Sequence, residues 1–260
     1  MQALSRPSLV SPLLVAVALV TAPCFAAAKQ AEHGGKPHAS KTAKAKKPHG
    51  AKRHASKSSA PGEADGPRAD LGKVRASKDV VQVANWASTA YNNEHRPFVI
   101  IDKKAAHMYV FDGWGRLWNH SPVLVGIAVG DDVAPGVGRK RLAQLKPHEK
   151  TTPAGRFEAR TGKDSHGANV VWIDYDAALS MHATASVSAS ERRAERMATP
   201  TPRDNRISNG CINVPPKFFR DVLWPTVRKA GAVVYVLPET RTPYQQFSGR
   251  YASGDAKSPA

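Results

Sequence analysis

The chain has 260 residues, with 38 Lys and Arg against 21 Asp and Glu, a formal charge of +17. Its two cysteines exclude a disulfide-knotted scaffold and any multi-cysteine zinc or iron–sulfur site. A hydrophobic content of 41% supplies one ordinary core and excludes a multispanning membrane protein; whether the charge speaks for nucleic acid depends on where it sits.

Met1 to Arg6 carries one positive charge and no acid, and Leu9 to Val20 is apolar apart from Ser11 and Pro12. That run is shorter than the ~20 residues of a membrane span, which weakens an anchor reading. With small residues after it, it fits a secretory signal over residues 1–28, cleaved after Ala28 or Ala26. Pro23 argues against lipidation of Cys24, which leaves with the signal. Cys211 is then the lone thiol of an exported protein: buried and inert, an intermolecular bridge, or reactive.

Residues 29–77 read as a disordered linker rich in Lys, His and Ala. Lys29 to Ala60 has nine Lys or Arg, one acid (Glu32) and no Val, Ile, Leu, Phe, Trp or Tyr, so it cannot bury enough surface to offset chain entropy. With Arg6 this accounts for about half the excess charge. The segment is either a solvated spacer or an electrostatic tether to an anionic envelope polymer; nucleic acid is a poor partner for an exported protein. His33, His38, His49 and His54 are too irregularly spaced, and too far from any thiol or carboxylate cluster, for a metal site.

Helical spacing of Val80, Val83, Ala87 and Tyr91 predicts a helix over 78–91, within a lead-in of 78–96. Strands are expected at 98–101, 108–111, 117–118, 123–129, 170–173, 179–182 and 232–237, separated by turns such as Asp112-Gly113-Trp114-Gly115. Helices are expected at 217–222 and 224–229, and the tail 239–260 reads as flexible. The fold class is mainly β, a sandwich or barrel with a few short helices, over residues 97–238.

The densest chemical pattern is Arg206-Ile-Ser-Asn-Gly-Cys-Ile-Asn-Val214. A thiol attacks as thiolate, and Arg206 or exposed N–H groups would favour the anion. Gly210 lets successive N–H groups converge as an oxyanion hole. A cysteine nucleophile also needs a base. His182 ends a predicted strand; His120, His148 and His166 are alternatives in weaker positions. His182 as a plain core histidine and Cys211 as a small buried hydrophobe are the bland readings. Arg192, Arg193, Arg196, Arg203 and Arg206 read either as a solvated face or as partners for substrate carboxylates.

At these residues the chain resembles the L,D-transpeptidase catalytic domain (YkuD) family. Three elements stand in the family's order: Thr152-Pro153-Ala154-Gly155-Arg156-Phe157, His182-Ala183-Thr184, and Ser208-Asn209-Gly210-Cys211-Ile212-Asn213. Asn209 replaces the usual His, Ala183 the frequent Gly, and Asn213 stands where many members have Arg, although Asn also occurs there. A polar insert, 186–205, lies between base and nucleophile and reads as a lid.

The resemblance implies a β-rich L,D-transpeptidase-like fold and ping-pong acyl transfer. Cys211 would be the nucleophile and His182 the base. The N–H groups of Asn209, Gly210 and Cys211 would form the oxyanion hole. Ser208, Asn213, Arg206 and Thr184 would bind substrate or support the loop. The implied substrates are peptidoglycan stem tetrapeptides, with release of D-alanine and cross-linking or remodelling of the wall, in the periplasm or at the cell wall. No metal or other cofactor is required, and no membrane span is expected after signal cleavage. A catalytically degenerate wall-binding module and an L,D-carboxypeptidase are the alternatives. Gly136-Val-Gly138 is not a nucleotide loop, because no Gly-Lys-Ser/Thr follows.

Overall fold

The computed structural model describes residues 66–184 and 189–251, so the expected signal peptide and the linker up to residue 65 lie outside the described residues. Helix α1 (Lys78–Thr89) starts at Ser77, whose hydroxyl accepts from the Val80 N–H at 3.3 Å and satisfies an orphan donor of the first turn. Its buried stripe is Val80, Val83, Ala84 and Ala87, the 3.6-residue spacing read in the sequence.

The strands follow as β1 (Phe98–Asp102), β2 (His107–Phe111), β3 (Leu117–Pro122), β4 (Val125–Gly126), β5 (Gly155–Lys163), β6 (Asn169–Asp174) and β7 (Leu179–Ala183). After α2 (Arg193–Ala198) come β8 (Arg206–Ser208), β9 (Ile212–Val214), α3 (Pro216–Phe218), α4 (Trp224–Ala230), β10 (Ala232–Val236) and α5 (Pro243–Tyr251). Eight strands form one sheet in the order β3-β2-β1-β10-β5-β6-β7-β9, and β4 pairs with β8 in a small second sheet. Pairing in the large sheet is antiparallel except for β1–β10 and β7–β9. Its two ends meet where Leu124 and Asn213 exchange main-chain hydrogen bonds, both 2.9 Å long. The result is a mainly β fold, nearly closed into a barrel.

Two apolar clusters explain why β1, β2 and β10 read as continuous hydrophobic runs. Val99, Ile101, Val110, Val234 and Val236 face the interior with Met181, Ile212 and Leu223. Their sequence neighbours Phe98, Ile100, Phe111, Val233 and Tyr235 face outward, under α1 and Phe247 of α5. The two-residue alternation is intact, but both faces are covered. Each large side chain buried this way contributes roughly 1.5–3 kcal/mol.

Several expectations are corrected. The supposed strand 123–129 is a strand only at Val125–Gly126; Leu124 and Ala128 on either side make single bridges to Asn213 and Thr151, and the carbonyls of Gly126 and Ala128 accept from Arg206. Strand β5 was not expected: much of it is polar and its exposure is mixed. The end of the supposed linker is folded, since Ala69, Leu71, Val74 and Ala76 pack on the outer cluster and Asp70 pairs with Arg116. The stretch after Pro238 is not loose where it is described; α5 docks Phe247 against Trp86, with ring centroids 5.8 Å apart. The two helices after β9 run together through a π-helical turn, Phe219–Leu223, with Pro225 near the start of α4, where its missing N–H costs little.

Candidate active site

Alternation along β7 sorts its side chains. Leu179 and Met181 point into the core, while Ser180 and His182 share the opposite face. Strand β9 lies parallel to β7 with Met181 opposite Ile212 and His182 opposite Asn213. One residue back in this register, Cys211 falls beside Ser180. The Ser180 hydroxyl donates to the Cys211 Sγ at 3.7 Å, and the thiol contacts the Ala178 carbonyl at 3.5 Å.

Cys211 and His182 sit two residues apart in the register of β7 and β9 and shift each other in opposite directions. Burial alone would push the thiol up, but the His182 contact and charge, with donors from Ser180, hold it below its usual range. Burial would likewise push His182 down, and the contact and charge of Cys211 outweigh it, so the imidazole is raised. Both directions favour passage of a proton from the thiol to the imidazole.

The turn carrying Cys211 is built by close main-chain approaches. Gly210 has φ +123°, and a Cβ there would lie 2.8 Å from the Thr151 carbonyl oxygen, so only glycine fits without strain. Thr152, 1% exposed, ties three segments together. Its hydroxyl donates to the Gly210 carbonyl at 2.6 Å and accepts from the Gly126 N–H at 2.8 Å. This is the physical reason for a threonine at the start of the Thr152-Pro153 motif. Ser208 accepts from the Gly210 N–H at 3.1 Å. That N–H is thus already used, and the N–H groups of Asn209 and Cys211 are left without a partner among the described residues.

Beneath this turn lies a buried ion network. Lys103, 1% exposed, donates to Asp131 at 2.9 Å, to the Thr152 carbonyl at 2.9 Å and to the Gly130 carbonyl at 2.5 Å. Burial lowers Lys103, and Asp131 and Glu239 partly restore it. Asp131 also accepts from the Glu239 and Thr240 N–H groups and the Thr240 hydroxyl. Arg206, expected near the thiol, instead donates to Glu239 and to the carbonyls of Gly126, Ala128 and Lys103. It braces the loop and does not reach the nucleophile.

Thr184 donates to the Val214 carbonyl at 3.1 Å and joins the end of β7 to β9. Asn213, 1% exposed, places Nδ2 3.1 Å from His182 Nε2, while its Oδ1 accepts from Arg193. His182 Nδ1 donates to the Ala183 carbonyl at 3.0 Å. Of the other arginines, Arg192 pairs with Glu195, and Arg196 donates to the carbonyls of Glu191 and Asp204. His120 contacts His107, His166 contacts Ser165, and neither is brought to Cys211. Sequence reasoning missed Ser180, Lys103 and Asp131; the particular role of Arg193 was hidden within an arginine cluster. Cys211 and Asn209 open onto a cleft also lined by Val133, Val137, Leu142 and Ala178.

No family model and no curated protein matches the chain. Solved structures do. The NMR structure of the E. faecium L,D-transpeptidase catalytic domain is 18% identical, covering 55% of this chain and 98% of that one, with a TM-score of 0.34. The carbamoyl enzyme of Ldtfm with avibactam is 17% identical, covering 55% of this chain and 49% of that one, with a TM-score of 0.35. The Mycobacterium smegmatis L,D-transpeptidase is 16% identical, covering 54% and 58%, with a TM-score of 0.33. The match thus spans about half the length of the Ldtfm structure. Among the described residues, no helix is long and apolar enough to cross a membrane.

Proposed function

We propose that the protein is a cysteine acyltransferase of the L,D-transpeptidase type acting on peptidoglycan stem peptides. The observation that supports this most is that Cys211 opens onto a cleft beside two N–H groups with no partner among the described residues, with His182 two residues along the register on the adjoining strand. His182 takes the thiol proton. The thiolate attacks the carbonyl joining the diamino acid to the terminal D-alanine of a stem tetrapeptide. The N–H groups of Asn209 and Cys211 hold the oxyanion. The tetrahedral intermediate collapses to a thioester, and His182 returns the proton to the departing amine of D-alanine. An amine of a neighbouring stem then attacks the thioester and restores the thiol. Export to the periplasm or cell wall, with the basic linker contacting anionic envelope polymers, fits this role.

Intact-mass analysis after incubation with imipenem or avibactam tests the nucleophile, the two compounds being those held by L,D-transpeptidases of known structure. A covalent adduct in the wild type and none in Cys211→Ala is expected. D-Alanine release from tetrapeptide, with cross-linked product by mass, tests the reaction. No adduct and no D-alanine release would sink the proposal and leave the wall-binding reading; release without cross-linked product would mark a carboxypeptidase.

A further inference from the structure

The hydrogen bonds around His182 leave little freedom in where its proton sits. The guanidinium of Arg193 can only donate, so the Asn213 atom that meets it is the carbonyl oxygen Oδ1. That choice fixes the amide, and Nδ2 must face His182. An amide nitrogen can only donate, so His182 Nε2 receives this bond on its lone pair. On the other side of the ring the Ala183 carbonyl can only accept, so Nδ1 carries the proton. The ring is set as the neutral Nδ1–H tautomer, and Nε2 is its one basic site.

The same arrangement resists the next step. When Nε2 takes the thiol proton, its new N–H points at the Asn213 N–H, donor against donor. The amide relieves this by turning Oδ1 towards the ring, but Arg193 holds Oδ1. The main chain of Asn213 offers no slack, being pinned to Leu124 by two bonds of 2.9 Å. Arg193 is itself steadied by Glu191, whose carboxylate accepts from Nε at 2.6 Å. The positive guanidinium also opposes a second positive charge on the ring. The charged and titratable groups acting on His182 are Cys211, Arg193 and, at longer range, Asp164.

We infer that Arg193, supplied by the insert between β7 and β9, is a positioning residue that holds the Cys211–His182 pair towards its neutral form. Release of Arg193 frees the Asn213 amide to turn and shifts the pair towards thiolate and imidazolium. The insert thereby sets thiol reactivity. This rests on the reading of Cys211 and His182 as nucleophile and base, but not on any particular substrate.

The test compares thiolate and imidazolium content without a peptide. Thiolate is read as the ultraviolet absorbance near ~240 nm that Cys211→Ser lacks, and His182 by the nitrogen-15 shifts of its ring. In Arg193→Met the ratio of ion pair to neutral pair at neutral pH should rise at least about threefold, the equivalent of half a pKa unit. Arg193→Lys, whose ammonium also only donates, should stay near the wild type. An unchanged or lower ratio in Arg193→Met overturns the inference. The acyltransferase reading can fail on D-alanine release while this result stands, and the reverse.

Discussion

On the Cys211 side of the site the supports are buried side chains bonded to the main chain of the turn, whereas on the His182 side they are side chains bonded to one another, one of which comes from a surface insert. The turn of the nucleophile is clamped by Thr152, by Ser208 and by the Lys103–Asp131 pair below. The base depends on Asn213 and, through it, on Arg193. Buried clamps on the main chain have one geometry and hold it, while a relay from side chain to side chain can be rearranged at small cost. The difference teaches that position is built into the nucleophile and adjustability into the base.

The largest effect should come from breaking the rigid side. Lys103→Met leaves Asp131 buried without its cation, and loss of one partner of a buried pair costs about 3–5 kcal/mol. Chemical denaturation should show this, together with loss of thiol acylation. Thr152→Val keeps the shape but orphans the Gly126 N–H and the Gly210 carbonyl, at about 1–3 kcal/mol for each group. Its acylation rate should fall while the nitrogen-15 shifts of His182 stay put. Altered shifts would show that the two sides are not separable.

Acid should attack the same side. Burial alone would raise the Asp131 carboxyl, but bonds from Thr240, Lys103 and the Glu239 and Thr240 N–H groups hold it far below the usual carboxylate range. A depressed folded pKa contributes stability above the unfolded value of ~3.9, lost as pH falls towards the folded one. The melting temperature should therefore drop steeply below about pH 4. Asp131→Asn should be less stable at neutral pH and should lose that part of the acid slope. The smallest effect is expected for Ser180→Ala, which removes one donor to Sγ and should cut the thiolate signal near neutral pH about two- to threefold, the scale of a modest pKa rise. No change in that signal would remove Ser180 from the account.

The comparison also explains what could be read from the sequence. Cys211, His182 and Asn213 are residue types that carry chemistry and stand at the ends of apolar runs, so they were legible as candidates. Ser180 was not, because a serine between Leu179 and Met181 looks like the polar face of any strand. Arg206 was legible only in part: loop support was among the roles expected of it, but nearness in sequence suggested the thiol, whereas its side chain leaves the turn and joins Glu239, 33 residues away. Strand β5 was invisible because its two-residue alternation offers only Phe157 and Ala159 as apolar residues before Thr161 and Gly162. Phe247 gave one apolar signal in a polar tail, and only the aromatic surface of Trp86 and Tyr235 shows why it is buried.

Asn213 occupies two roles at once. Its main chain closes the seam between the ends of the sheet at Leu124, and its side chain orients the base. Any local opening of that seam takes the base out of alignment in the same motion. Amide exchange at Leu124 and Asn213 should therefore time the intervals in which the thiol lacks its proton acceptor, and a partly folded chain with the seam unmade would carry a silent cysteine.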